Sequence, residues 1–265
     1  CIRDSPDTTV SLSSPSLSAP GAKIYFTTDG SDPRPFDTTH DTQEPTVTFI
    51  PTIHPIRGIV PNSPFNTTWG TAWRGSDLNE NGDHTDDFDD SSWHANPKGS
   101  IAGAGYDDNI GPTAISYLPF IGLRWLSTPS GDNSSVMKSV NQSCYLRIPF
   151  QTDAASLKDL VFLTLRVRFD DGFVAFLNGT EIARANQPTS YPTTQLAWNA
   201  AARATNADSN AIQEAVFNIS SAIPLLHPGN NLLAIHGLNY GLTSSDFLFQ
   251  ATLAGGPAFS LSLIH

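Results

Sequence analysis

Charged residues are scarce in this chain of 265 residues: Asp, Glu, Lys and Arg together make up 15% of it, against about 25% in an average globular protein. Those present are mostly acidic, and the formal net charge of −11 would repel a phosphate backbone, so nucleic acid is not expected as a partner. No apolar run approaches the roughly 18 residues that a spanning helix needs, so no membrane span is predicted. The first residues, CIRDSPD, are neither a signal peptide nor an initiator methionine, and we therefore expect a processed or excised piece of a longer protein.

Cysteine is also scarce, with only Cys1 and Cys144 in the chain. Cys144 alternates with Leu146, Ile148 and Phe150 in SCYLRIPF, and this pattern predicts a buried thiol on a strand. Cys1 could pair with Cys144, pair with another chain or carry a lipid. Two cysteines therefore do not decide the compartment.

The abundant residues are Ser, Thr, Asn, Gly and Pro, and few segments have helical periodicity. This composition is typical of an all-β protein with many turns. In VFLTLRVRFDDGFVAFLNGTEI, residues 161–169 alternate apolar and polar side chains, as a half-buried central strand does. Asp170-Asp171-Gly172 and then Asn178-Gly179 are turn signals, the second for a type I′ hairpin. We expect a three-stranded antiparallel meander over this segment.

Three later segments also predict strands: AIQEAVFNIS, NLLAIHGLN and SSDFLFQATL. Strand and turn signals recur at intervals of about 8 to 12 residues, as a sandwich or jelly roll requires. The predicted fold class is all-β, with a small immunoglobulin-like β-sandwich followed by a larger antiparallel jelly-roll β-sandwich.

The first of these units resembles a known family over AKIYFTTDGSDPR, residues 22–34. This segment is similar to the hallmark of the chitobiase/β-hexosaminidase C-terminal type of domain, a small immunoglobulin-like module appended to secreted bacterial proteins. The resemblance implies an accessory module at residues 1–60 and no catalysis there. Asp29 and Asp32 are expected to be turn formers that accept local backbone hydrogen bonds.

The second unit carries the segments FDDSSW, GAGYDD, SCYLRIPF, LRVRFDDGFVAFLNGTEIARANQP, PGNNLLAIHGLN and SSDFLF. Together they resemble a galactose-binding-like jelly-roll module of large secreted bacterial surface proteins, over residues 56–254. Relatives of that fold include carbohydrate-binding modules, many with a structural calcium ion. We expect this module at 61–254, followed at 255–265 by a tail or the start of another element.

No combination of residues points to catalysis. The sequence has no G-x-S-x-G, H-E-x-x-H or Walker motif, and a glycosidase needs two carboxylates across a cleft. Asp170 and Asp171 are adjacent and are expected to point to different sides of a turn. His236 alternates with apolar residues and is expected to be a hydrogen-bonded core histidine. We expect no enzyme activity.

Sugar binding needs an aromatic platform for the apolar face of a pyranose and planar polar groups for its hydroxyls. Trp93 is expected to close one end of the sandwich, whereas Trp198 lies in a polar loop and is the preferred platform. The other predicted binding residues are Tyr191, Arg184, Asn186, Asn239 and Tyr240. A glycan or cell-surface polysaccharide is the expected partner.

A metal site is predicted in the acidic segment 77–90, which holds seven carboxylates. Asp77, Asn79, Asn81 and Asp83, with Gly82 between the last two, follow the first half of a D-x-[DN]-x-[DN]-G calcium loop. Phe88 stands where a bidentate Glu is expected, so Asp86, Asp87 or Asp89 would complete the shell. The alternative is a solvated surface loop without metal.

Two classes of function remain open at this stage. The first is a non-catalytic extracellular module for carbohydrate binding or adhesion, at the cell surface. The second is a structural subunit of an extracellular filament, sheath or other surface assembly, which would contact copies of itself through strand or tail exchange. The apolar alternation in PAFSLSLIH suits the second class, unless it is the first strand of a following domain.

Overall fold

The computed structural model describes residues 47–64, 69–109, 113–125 and 136–257. Within these ranges the protein is a two-sheet β-sandwich, as predicted. Twelve strands make up the sheets: β1 (Val47–Ile50), β2 (Arg57–Ile59), β3 (His94–Ala95), β4 (Gly103–Asp107), β5 (Leu123–Arg124), β6 (Ser143–Thr152), β7 (Phe162–Asp170), β8 (Gly172–Leu177), β9 (Thr180–Ala185), β10 (Ala215–Asn218), β11 (Gly229–Leu238) and β12 (Asp246–Gly256). Two short helices are α1 (Ala154–Lys158) and α2 (Asp208–Ala211).

The first sheet has the order β10-β7-β12-β4-β5, with β1 paired to one end of β12. The second has the order β3-β2-β6-β11-β8-β9. Its longest pairing joins β6 to β11, in antiparallel register from Ser143↔Leu238 to Thr152↔Gly229. No helix in the described ranges is long and apolar enough to cross a membrane.

The core lies between the two sheets, and strand alternation decides which side chains reach it. Leu146 and Ile148 of β6 face it from the second sheet, and Leu165 and Val167 of β7 face it from the first. Cys144 also packs in this core as a free, buried thiol, which confirms its predicted place. Because these apolar side chains leave water together, their burial is the main stabilising term of the fold.

The predicted meander is wrong at its first turn, because β7 and β8 lie in different sheets. β7 pairs with β10 and β12, whereas β8 pairs with β11 and β9. Alternating apolar and polar residues show only that one side of a strand is buried. Strands that pair in one sheet and strands that face each other across a core both have this pattern, so it does not identify the partner of a strand. At the crossing, the backbone N–H of Asp171 donates to Leu238 O of β11 at 3.1 Å.

The first predicted module falls mostly outside the described residues, so its immunoglobulin-like fold stays a prediction. The residues just before its expected end at 60 belong to the sandwich instead. β1 hydrogen-bonds to β12 and β2 to β6, so the sandwich begins no later than Val47. The tail 258–265 also lies outside the described residues, while Gly255 and Gly256 complete β12.

The predicted β8–β9 hairpin is confirmed. Asn178 and Gly179 both have positive φ, 49° and 87°, as a type I′ turn requires. The Asn178 side chain also fixes the neighbouring strand, since its Oδ1 accepts from Leu232 N at 2.8 Å and its Nδ2 donates to Asn231 Oδ1 at 2.8 Å. Asn is therefore needed here for more than its backbone conformation.

We expect Gly179→Val to lower the free energy of unfolding by about 1 to 3 kcal/mol, because a β-branched residue is strained at positive φ. A Cβ at this position would also lie 2.6 Å from Ser76 Oγ. Gly99→Val is the matched control, since Gly99 has φ 80° and no atom within 4 Å of its Cβ position. Urea unfolding should show the larger loss for Gly179→Val, and an unchanged midpoint for that variant would contradict the turn.

Candidate functional site

The outer face of the second sheet is covered by two long connections, residues 69–93 and 187–203. Tyr145, Val174 and Phe176 point outward from the sheet, and Trp73 and Leu196 pack on them from the connections. This produces a second apolar layer on the side of the sheet opposite the core. A pocket remains open between the two connections.

A buried arginine fixes the first connection to the sheet. Arg147 of β6 is 1% exposed, and its Nε donates to Asp90 Oδ2 at 2.7 Å. Its other nitrogens donate to three carbonyl oxygens, those of Trp73 at 2.8 Å, Thr85 at 3.0 Å and Ala72 at 3.3 Å. Every part of the guanidinium therefore has a partner, as a buried charge requires.

The pocket, here called the aromatic pocket, has a volume of about 270 Å³. It is lined by Trp69, Gly70, Thr71, Trp73, Arg74, Tyr145, Gln195, Leu196 and His236. The rings are mutually tilted: Trp73 lies 4.7 Å from Tyr145 and Trp69 lies 6.0 Å from it, both edge to face. None of the described residues that line this pocket is an acid.

Two planar polar groups stand together at the pocket. Arg74 Nη2 donates to Gln195 Oε1 at 3.2 Å, and the guanidinium lies 4.4 Å from the centre of the Phe176 ring. Arg74 Nε is buried without a hydrogen-bond partner. Burial lowers the pKa of Arg74, and the nearby Tyr191, Tyr145 and Glu181 partly oppose this. The site thus holds an unused N–H donor beside an exposed amide.

His236 is the hydrogen-bonded core histidine that its pattern predicts, at 2% exposure. The Ser143 hydroxyl donates to Ala200 O at 2.7 Å, so its oxygen must accept from His236 Nε2 at 2.9 Å. The proton therefore lies on Nε2 and the lone pair on Nδ1. Burial lowers the pKa of His236 to about 3, which keeps the ring neutral.

Two of the predicted sugar-binding residues, Tyr191 and Arg184, lie close to the aromatic pocket. The Tyr191 hydroxyl donates to Glu181, and the Arg184 guanidinium lies over the Tyr191 ring at 5.6 Å from its centre. Burial, followed by the Glu181 hydrogen bond, raises the pKa of Tyr191 to about 12. Trp198 is half-buried and does not line the pocket, and its role in binding stays a prediction.

The remaining predicted residues lie at the end of the sandwich where β7 crosses to β8. Asn186 Nδ2 donates to Asp171 O at 2.9 Å. Asn239 is 1% exposed, and its Nδ2 donates to the Tyr106 hydroxyl and to Asp246 O. The Asn239 amide thus packs the sandwich and has no surface for a sugar, whereas Tyr240 is 51% exposed. The six predicted residues therefore do not form one site.

The oxygens of the predicted calcium loop accept hydrogen bonds from the loop itself. Asp77 accepts from the N–H of Asn81 and Gly82, Asn79 from that of Asn81, Asn81 from that of Asp83, Asp83 from that of Thr85, and Asp89 from that of Ser91. Throughout the described ranges, no three acidic, His or Cys side chains are grouped to hold a metal. In this arrangement N–H donors of the loop itself relieve part of the carboxylate repulsion. The calcium ion stays a prediction.

A second cavity, here called the acidic cavity, lies at the crossing from β7 to β8 and has a volume of about 450 Å³. Asp170, Asp171, Asp208 and Asp246 all line it. Asp170 and Asp171 were expected to point to different sides of a turn, but both are buried and their carboxyls interact. Asp171 does not point away because its carboxylate accepts from the backbone N–H of Asn206 and of Tyr240. Burial, then the adjacent Asp171, raises the pKa of Asp170 to about 10.

Comparison with solved structures finds glycosidases. A β-glucuronidase from an uncultured Clostridium aligns over 78% of this chain and 28% of its own, at 11% identity and a TM-score of 0.37. A β-glycosidase from Bacteroides vulgatus aligns over 76% and 20%, at 12% identity and a TM-score of 0.33. A glycosyl hydrolase family 2 member from Bacteroides cellulosilyticus aligns over 77% and 20%, at 14% identity and a TM-score of 0.30.

This chain spans less than a third of the length of each of these proteins. No protein-family model matches the sequence, and no curated protein matches it. No family model therefore supports either of the two resemblances that the sequence shows.

Arg74 and Gln195 were not predicted from the sequence. Trp69 and Trp73 are two of five tryptophans in the chain, and no pattern in the sequence shows which of the five converge on one site. The signal that could have indicated Arg74 is its position directly after Trp73 in the segment TAWRG. For Gln195, in a polar loop, the sequence carries no comparable signal.

We expect Asp170→Asn to stabilise the protein at pH 8 but not at pH 4. Folded Asp170 keeps its proton up to about pH 10, whereas the unfolded carboxyl ionises near pH 4. The folded state then binds more protons than the unfolded state, so the stability of the parent falls as the pH rises between these values. Asn is neutral throughout and keeps a donor for Asp171.

Thermal unfolding at the two pH values checks this expectation. Asp159→Asn, which removes an exposed carboxylate after α1, is the matched control and should show no such gain. Equal midpoints for Asp170→Asn and the parent at pH 8 would mean that Asp170 is ionised in the folded protein.

Proposed function

We propose that this chain is a non-catalytic carbohydrate-binding module that acts outside the cell and binds sugar in the aromatic pocket. The observation that carries the proposal is the meeting of Trp69 and Trp73 with the paired Arg74 and Gln195 side chains in one pocket. Aromatic rings bind the apolar face of a pyranose, and planar polar groups bind its hydroxyls. A volume of about 270 Å³ suits a single sugar residue.

Binding rather than hydrolysis is favoured by the charges at the pocket. Glycoside hydrolysis ordinarily uses two carboxyl groups on either side of the scissile bond, and the described lining contains Arg74 and a neutral His236 but no acid. The exposed Gln195 side chain accepts from Arg74 through Oε1, and its NH2 group can donate to hydroxyl oxygens. The proposed role is therefore recognition of a neutral glycan.

The rigidity of the pocket supports the same role. Arg147 holds the carbonyls of Ala72 and Trp73, so the residues that carry the pocket are fixed before any ligand arrives. The Arg74 carbonyl also accepts from Gly179 N at 2.9 Å, which ties the segment to the β8–β9 turn. A site fixed in advance loses less conformational entropy on binding.

A glycan array followed by calorimetry tests the proposal. We expect neutral glycans to bind, and Gln195→Ala to weaken binding by about fivefold or more, the effect of about one hydrogen bond. Gln213→Ala, at an exposed glutamine beside β10 of the other sheet, is the matched control. The same titration with Trp198→Ala decides whether the aromatic predicted from the sequence takes part.

The proposal fails if no glycan binds, or if Gln195→Ala and the double variant Gln195→Ala/Arg74→Met both bind as the parent does. Sugar released from the bound glycan would instead indicate an enzyme. Circular dichroism of each variant shows whether it has kept its fold.

The predicted calcium ion belongs to the same proposal and rests on the alternating Asp77, Asn79, Asn81 and Asp83, with Gly82 at φ 80°. A ligand that binds only the folded state stabilises it, so we expect a higher unfolding midpoint in millimolar calcium than in EDTA. Asp77→Asn should reduce this difference, whereas Asp159→Asn should leave it unchanged. Identical midpoints, with no metal detected after dialysis, would show that the loop is held by its N–H donors alone.

A further inference from the structure

One polar atom in the lining of the aromatic pocket is left without a partner by the fold. His236 of β11 lines the pocket and is 2% exposed. Its Nε2 is bonded to Ser143 Oγ at 2.9 Å, whereas its Nδ1 has no hydrogen-bond partner in the part of the chain that the structure describes. The unpaired polar atoms that are fully buried there do not include Nδ1. This atom therefore reaches open space, and the pocket is the open space that the ring lines.

Ser143 determines what Nδ1 offers to the pocket. The Ser143 hydroxyl has one proton and donates it to Ala200 O at 2.7 Å, so towards His236 its oxygen can only accept. A neutral imidazole that donates from Nε2 carries its lone pair on Nδ1. Ser143 is 0% exposed, so water does not compete for the Nε2 proton. The pocket therefore contains a fixed hydrogen-bond acceptor.

The imidazole also stays neutral, which keeps this acceptor in place. The His236 ring lies against the Tyr145 ring, with 4.5 Å between their centres. Burial, followed by the charge of Arg74, lowers the pKa of His236 to about 3. A charged imidazole would donate from both nitrogens, whereas the neutral ring keeps its lone pair on Nδ1 at any pH well above this value.

We propose that the aromatic pocket recognises its glycan through a free hydroxyl group that donates to His236 Nδ1, and that Ser143 is the positioning residue that sets this requirement. The inference rests on the proposed function and narrows its ligand class. A hydroxyl group has a proton to donate, whereas an ether or ester oxygen has none. Such an oxygen would place its lone pairs against that of Nδ1, which is unfavourable among aromatic rings. Sugars that are alkylated or acylated at this hydroxyl are therefore excluded.

Nuclear magnetic resonance of the whole chain with ¹⁵N-labelled histidine tests the acceptor without any ligand. We expect His236 to have a protonated Nε2 and an unprotonated Nδ1 at pH 7, with its signals assigned by their loss in His236→Gln. Ser143→Ala should reduce the population of this tautomer, because Nε2–H loses its acceptor. Ser221→Ala, at an exposed serine after β10 of the other sheet, is the matched control. A protonated Nδ1 in the parent protein would overturn the inference.

Deoxyfluoro sugars test whether the ligand must donate. For the neutral glycan that binds most tightly, calorimetry compares the glycan with derivatives in which one hydroxyl at a time is replaced by fluorine, which accepts weakly and cannot donate. We expect one derivative to bind the parent about tenfold or more weakly, the effect of about one hydrogen bond. This difference should shrink in Ser143→Ala, where Nδ1 can carry the proton. It should persist in Ser221→Ala and in Gln195→Ala, which leave the tautomer unchanged.

Each outcome decides the inference. Equal affinity for the glycan and all its deoxyfluoro derivatives would overturn it while leaving the proposed function standing. An undiminished difference in Ser143→Ala, shown to be folded by circular dichroism, would overturn the role of Ser143. If no glycan binds, the proposed function and this inference fail together. Both measurements on the parent remain decisive if Ser143→Ala does not fold.

Discussion

The buried guanidinium of Arg147 is the interaction on which the outer face of the second sheet depends. Its donors end on Asp90 and on the carbonyls of Ala72, Trp73 and Thr85. No apolar contact could orient these groups, because carbonyl oxygens that leave water must find donors. The Arg147 guanidinium of β6 therefore fixes the shape of a long connection that has little secondary structure. The aromatic pocket lies between this connection, the second connection and the sheet.

Much of the framework was predictable from the chain alone. Alternating side chains located β6, β7, β11 and β12, and Asn178-Gly179 located a hairpin, because period-two burial and positive φ are local properties. The partner of each strand was not predictable in this way. Phe169 and Phe173 read as members of one meander, but their rings meet across the core, 5.1 Å apart.

The buried polar residues were harder to predict for a related reason. Arg147 alternates with apolar neighbours and reads as solvent-facing, since nothing local indicates that residues 72–90 will fold over it. Asn239 reads as a loop amide, although the Tyr106 hydroxyl that it meets is 133 residues away in the chain. A site built from side chains brought together by long-range contacts has no pattern in the sequence, whereas a strand or a turn does.

The second sheet separates two apolar layers, which pack on its opposite faces. Leu146 and Ile148 point to one layer, while Tyr145 and Arg147, the residues that alternate with them, point to the other. Substitutions in 69–93 or 187–203 can therefore reshape the pocket while the packing between the sheets stays intact. In a lineage of such sandwiches, the outer layer is free to diverge in sequence on a framework that hardly changes.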